Sequence, residues 1–404
     1  MKNILYFLLL ITLSQYSQDQ INDTIQGTKQ NLDEVIIQSV RVKYSSPITH
    51  SNVSKSDLSS KNLGQDLPVL LTFLPSIVTT SDAGAGIGYT GIRIRGVSAQ
   101  STNITINGIP FNDPESHGTY WVNLPDFTSS VENMQVQRGV GTSTNGSGAF
   151  GASINILTDA ISKNPFAEIS NSVGSYNTLK HTVKFSTGQL NDSFELSGRL
   201  SKIDSDGYID RAYSDLKSYF LQAAYSKGNT LIKALTFGGH EKTYQSWYGV
   251  SKEELLENRR QNPYTYENEI DNYKQDHYQF HWNEKLNERW STNLGLNYTY
   301  GRGYFEQYRE DDSIDTYGGI LVSDLDQQGN KTGTTDLIRR RWLDNNFYVF
   351  NASANYKTSK LDLMFNSSYS TYSGDHYGEV IWARNFSENS SVRDRYYDGI
   401  LFVK

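Results

Sequence analysis

From residue 166 onward, apolar and polar residues alternate with a period of two in runs of strand length. The runs are 166–173, 178–187, 194–202, 218–226, 230–244, 277–284, 292–300, 347–357 and 361–372. In 292–300, Leu294, Leu296, Tyr298 and Tyr300 share one face, and Asn293, Gly295, Asn297 and Thr299 the other. The connections differ in kind. Short polar turns at 190–193, 227–229, 286–290 and 358–360 alternate with long connections at 203–217, 249–276 and 301–346. The first hairpin, at 174–177, breaks this rule with a short loop. Tight turns on one rim and long loops on the other describe an outer-membrane barrel with the long loops outside. A soluble sandwich or secreted adhesin would also alternate. Aromatic residues near strand ends (Trp282, Trp290, Tyr298, Tyr300, Tyr369, Tyr372) favour the barrel, because such rings gather at membrane interfaces.

Before residue 160 the pattern is different. Leu63, Leu67, Leu70, Leu71 and Leu74 recur at helical spacing, so 62–74 predicts a helix stopped by Pro75, with Pro68 placing its start near Gln65 or Asp66. Short strands follow at 92–95 and 104–107, and Asn107-Gly108 is a tight-turn dipeptide. A second short helix is expected at 124–130, with further strands at 133–138 and 152–157. Together these make a small mixed α/β domain over 46–160, and the partial barrel occupies 165–404. At the N-terminus, Lys2 precedes a ten-residue apolar run at 4–13. This predicts a secretory signal peptide over 1–17, too short to span a bilayer. The segment 18–45 is polar except for a β-prone run at 32–39, shaped to add as a strand to another protein.

Composition narrows the chemistry. The 404 residues include no cysteine, which removes disulfides and thiolate metal sites. A net charge of −7 argues against nucleic acid. Glycines at 84–88 and 139–151 lack the lysine and the strand–helix setting of a phosphate loop. His117 beside Asp113 and Glu115 is one histidine, a weak metal signal, and loop packing is the simpler role. No nucleophile–base constellation is present, so no enzyme is expected.

Specific strings add a resemblance. Gly91-Ile92-Arg93-Ile94-Arg95-Gly96, Asn103-Ile104-Thr105-Ile106-Asn107-Gly108-Ile109-Pro110 and Met134-Gln135-Val136-Gln137-Arg138-Gly139 resemble the plug domain of TonB-dependent outer-membrane receptors. Asp113-Pro114-Glu115-Ser116-His117-Gly118-Thr119-Tyr120-Trp121 and Arg339-Arg340-Arg341-Trp342-Leu343-Asp344-Asn345 are similar to the ferric-citrate and siderophore type within that family. The resemblance implies a plug followed by an antiparallel transmembrane β-barrel in the bacterial outer membrane. Nine or ten strands of an expected 22 are supplied, so the chain is expected to be truncated within the barrel.

The implied function is active import of a ferric chelate, ferric citrate or a siderophore. It would be driven by the TonB energy-coupling protein and its inner-membrane motor, with no cofactor besides the ligand. Import of cobalamin, haem or a glycan, or a passive channel or adhesin, are the alternatives. Asp33, Glu34, Val35, Ile36 and Ile37 would form the TonB box, or else the first strand of the plug. Arg95 and Arg138 would pair with barrel glutamates to hold the plug, or else form bridges within it. Ligand contacts would come from plug apices at 83–90 and 98–102 and from outer loops. Tyr89, Gln100, Arg302, Arg339, Arg340 and Arg341 are the candidates, because guanidinium and amide donors match carboxylate oxygens.

Overall fold

The computed structural model describes residues 41–42, 48–140 and 150–403. The expected signal peptide and the box residues Asp33, Glu34, Val35, Ile36 and Ile37 lie outside the described residues.

The N-terminal domain is built on a five-stranded mixed sheet. Its strands are β1 (His50–Ser54), β4 (Thr102–Ile106), β5 (Ile109–Pro110), β6 (Val131–Arg138) and β7 (Ala152–Thr158), in the order β1-β6-β7-β4-β5. Only the β4–β7 pairing is parallel; β1–β6, β6–β7 and β4–β5 are antiparallel. A separate hairpin pairs β2 (Ile77–Ser81) with β3 (Thr90–Ile94). The turn between β4 and β5 uses Asn107 and Gly108 at φ of 54° and 79°, the left-handed pair a tight hairpin demands.

The helices are shorter than the leucine spacing predicts. Helix α1 (Lys55–Ser59) starts at a Ser54/Asp57 capping box. Helix α2 covers only Leu67–Leu70, because Pro68 is tolerated in a first turn alone, and turns carry the chain on to Leu74. The expected helix at 124–130 is instead two 3₁₀ turns, Trp121–Asn123 and Phe127–Ser130. Pro125 and a left-handed Asp126, φ 51°, separate them.

The second region is one ten-stranded antiparallel meander. It runs through β8 (Phe166–Gly174), β9 (Thr178–Ser186), β10 (Phe194–Ser205), β11 (Ser214–Lys227) and β12 (Thr230–Tyr244), then β13 (Ile270–Lys285), β14 (Trp290–Ser313), β15 (Thr334–Lys357), β16 (Asp362–Ala383) and β17 (Arg395–Val403). A short helix, α3 (Lys252–Glu257), lies in the β12–β13 connection. Alternation runs inside out. In β9, Thr178, Lys180, Thr182, Lys184 and Ser186 are buried, while Leu179, Val183 and Phe185 are exposed. Polar side chains face the N-terminal domain and apolar ones face outward, as a membrane wall requires.

Strands β14 and β15 each run 24 residues, well into what the sequence reads as loop. Their extra length mixes charged and apolar residues on both faces, as at Tyr304, Phe305, Leu337 and Trp342 among the arginines and carboxylates, so hydrophobic periodicity could not reveal it. The two regions share a core. Phe220, Leu235 and Phe237 of the wall pack in one cluster with Trp121, Leu124 and Phe127 of the plug-like domain. Gly239 permits the approach, since a Cβ there would strike the Asn123 carbonyl and the Pro125 ring. All these elements belong to a single compact unit.

Candidate functional site

Two contacts between the N-terminal domain and the wall carry most of the charge. The first centres on Asp126. The left-handed turn after Pro125 thrusts its carboxylate, 0% exposed, toward β9 and β10. Lys180 donates to it at 2.7 Å, and Arg199 lies 3.3 Å away. Thr182 and Ser201 donate at 2.7 and 2.5 Å, and Asn62 and Ser129 at 3.0 and 2.6 Å. Arg199 also donates to the Asp126 carbonyl at 2.5 Å and to Ser130 Oγ at 2.9 Å. Burial alone would raise the Asp126 pKa. Arg199 and Lys180 outweigh it and hold the carboxyl below its ordinary range. Nearby, Lys184 reaches Asp159 at 2.6 Å, and Lys55 reaches the same carboxylate at 2.7 Å. Every charge in this contact has a partner.

The second contact encloses a cavity of about 550 Å³. It opens toward the rim of long connections, where Trp247 follows β12. Tyr89, from the 83–90 apex, donates its hydroxyl to Asp271 on β13 and lies 3.5 Å from Glu241 on β12. Burial, then Asp271 and Glu241, push the Tyr89 phenol well above its usual pKa. The Trp247 ring meets Tyr89 edge-on at 5.3 Å and Phe305 at 5.6 Å. Across the cavity, Glu115 of the 111–118 loop accepts from Tyr372 and from His376, the latter at 2.8 Å. His117 closes that loop through its backbone, with its amide on the Asp113 carbonyl at 2.9 Å.

Of the expected ligand residues, Tyr89 and Arg341 line this cavity. Arg341 touches the Tyr397 hydroxyl at 3.3 Å and stacks on Phe305. The others are placed elsewhere. Arg302 and Arg340 have the opposite strand parity, so they leave the other face of the sheet. They pair there with Asp344 at 3.4 Å and Glu306 at 2.7 Å. Arg339 is held by Tyr317 and Gln307, both at 3.1 Å, near Asp312. Gln100 is exposed in a 3₁₀ turn before β4 and is not part of the cavity lining. Three consecutive arginines on a strand cannot share one site, because neighbours alternate faces.

Arg95 and Arg138 do not meet barrel glutamates among the described residues. Arg95 is exposed, with one long contact of 3.5 Å to the Arg138 carbonyl. Arg138 bonds Pro75 O at 3.2 Å and Ser51 Oγ at 2.9 Å, all within its own domain. The polarity is therefore inverted. The carboxylate comes from the plug-like domain at Asp126, and the cations from the wall at Lys180 and Arg199. Sequence reasoning missed these residues, and Glu241 and Asp271 as well. The usable signal was Lys180 and Lys184 on the polar face of an alternating strand, a face that must turn inward if the other meets lipid.

Comparison with known proteins fits this geometry. A family model described as TonB-dependent Receptor Plug Domain matches residues 42–153. The vitamin B12 transporter BtuB of Vibrio vulnificus is 30% identical over 193 residues, 47% of this chain and 29% of that protein. The probable TonB-dependent siderophore receptor PirA of Acinetobacter baumannii is 24% identical over 225 residues, 53% of this chain and 28% of that protein. The crystal structure of BauA, the ferric preacinetobactin receptor of A. baumannii, superposes with a TM-score of 0.62 at 12% identity. That match covers 88% of this chain and 53% of BauA, and it shows the fold. The chain thus spans under a third of the curated relatives it matches and about half of that receptor. Residues 42–153 thus match a TonB-dependent receptor plug domain, and this domain packs on an inward-polar antiparallel sheet in the fold that BauA also has.

Proposed function

We propose that the protein imports a ferric chelate, a siderophore or ferric citrate, across the outer membrane, energised by TonB. The observation that carries the reading is the cavity itself. A plug apex and the inner face of the wall enclose it together, on the side of the long connections. A ligand held there touches both parts, so a pull on the plug from the other side would open the site. Iron arrives chelated, and the protein needs only to grip the chelate. Tyr89 and Arg341 are the proposed ligand contacts, and Asp33 to Ile37 the segment that TonB grips by strand addition. Val35→Pro removes a backbone donor and blocks that pairing. Uptake of radiolabelled ferric chelate should stop in this variant while binding at the cell surface persists. Undiminished uptake would refute the box.

A second reading is corrinoid import, favoured by the 30% identity to a vitamin B12 transporter. Uptake of labelled cobalamin, with ferric chelates unable to compete, would select it.

A further inference from the structure

We propose that the Tyr89–Glu241–Asp271 wall of the cavity receives a cationic group of the ligand, so that the imported chelate carries a pendant ammonium or guanidinium rather than a purely anionic shell. This rests on the import reading above and specifies its substrate.

Three observations carry the inference. First, Glu241, 1% exposed, and Asp271 converge on the Tyr89 hydroxyl, and neither pairs with a lysine or arginine among the described residues. Elsewhere along the same interface, the buried carboxylates of Asp126 and Asp159 each have two cations. A buried carboxylate left without a cation is costly, and a site that tolerates two of them has room for a positive charge from outside. Second, Asn123 lines the cavity at 8% exposure, and its Oδ1 accepts no hydrogen bond. An unused buried acceptor calls for a donor, which an ammonium or guanidinium supplies. Third, the walls nearby are aromatic. Tyr89 and Trp247 present rings to the same space, and ring faces attract cations. Arg341 is the one lysine or arginine among the lining residues, opposed by Asp82, Asp113, Glu115, Glu241 and Asp271. Asp113 is used in its own turn, accepting from the Ser116 amide at 2.7 Å, and Glu115 is used by Tyr372 and His376. Glu241 also accepts from the Thr243 hydroxyl at 3.0 Å, but a hydroxyl brings no counter-charge, so Glu241 and Asp271, with Asp82 at the rim, remain for a cation.

The test titrates the purified protein in detergent with two ferric trihydroxamates that differ only at a pendant amine. One has a free ammonium, and the other has it N-acetylated. Trp247 fluorescence reports binding. The free-ammonium complex should bind roughly ten- to a hundredfold more tightly, the worth of one charge-assisted hydrogen bond. Glu241→Gln should erase that preference while keeping the shape of the wall. Asp82→Asn, at the exposed rim, should reduce it in a variant whose folding is not at stake. Equal or tighter binding of the acetylated complex overturns the proposal and leaves the import reading intact. Binding of neither complex also overturns it. Growth on single iron sources then decides separately whether the import reading stands.

Discussion

Asp126 and the Glu241–Asp271 pair sit at two contacts of the same plug with the same wall, yet their surroundings are opposite. Asp126 has two cations, two hydroxyls from the wall, and donors from Asn62 and Ser129, and it has no exposed surface. Glu241 and Asp271 share a phenol, with the Thr243 hydroxyl on Glu241 at 3.0 Å, and face open volume without a cation. A buried network whose charges are paired fixes geometry, and one without a counter-charge has room for a partner. The difference assigns them separate work. Under the proposed import, Asp126 latches the plug and the carboxylate pair with Tyr89 faces the ligand. Ligand arrival at one contact would then leave the other intact, with the latch released by force applied from elsewhere.

The largest effect expected is from Asp126→Ala. It strands Lys180 and Arg199 without a counter-charge, at a cost of about 3–5 kcal/mol. Denaturant unfolding and protease sensitivity of the plug should both report it, and cells should admit large antibiotics. A variant as stable and tight as wild type would remove the latch. The same contact should weaken in acid. The Asp126 carboxyl titrates below its ordinary range when folded, so its contribution is present above about pH 4 and is lost as pH falls further.

Asp66 gives a second, opposite pH signature. Burial pushes its carboxyl up to about 8, against a Thr90 hydrogen bond at 2.9 Å. The folded state then holds a proton that the unfolded chain releases near pH 4. Stability should therefore fall as pH rises from about 4 to about 8. Asp66→Asn should gain on the order of a few kcal/mol at pH 8 and little at pH 4. Thermal melts at the two pH values check this, and a gain that is independent of pH would contradict it.

Smaller effects should separate the cavity from its surroundings. Arg341→Ala should weaken chelate binding by roughly tenfold. Arg340→Ala, which removes a pair on the other face of the sheet, should leave affinity unchanged. Equal losses would mean that the strand parity does not decide access. Arg95→Ala, at an exposed side chain with one long contact, should change stability by less than about 1 kcal/mol. A loss as large as that of Asp126→Ala would restore the latch to the plug arginines.

Much of the fold was legible because membrane strands and tight turns obey local rules. The period-two runs, the short and long connections, and the Asn107-Gly108 turn all follow from neighbouring residues. The extensions of β14 and β15 were hidden because both of their faces mix charged and apolar residues, which breaks the period of two. The helix at 62–74 was over-read because leucine spacing does not register what Pro68 forbids. The site was harder to read. Arg339, Arg340 and Arg341 stand together in sequence, and strand parity parts them in space. Asp126, Lys180 and Arg199 come from separate elements, and only the packing of plug on wall brings them together. Tyr89 and Arg341, each on a segment read as facing the rim, line the cavity.

Hydrogen–deuterium exchange of the plug, on wild type, Asp126→Asn and Glu241→Gln with and without chelate, tests the division of labour most directly. Asp126→Asn should show faster exchange in the strands around Val131–Arg138, with ligand protection of 83–90 retained. Ligand-free Glu241→Gln should exchange like wild type, with that protection weakened. If Glu241→Gln loosened the plug as much as Asp126→Asn, or if Asp126→Asn left it untouched, the two contacts would not have the separate roles assigned to them.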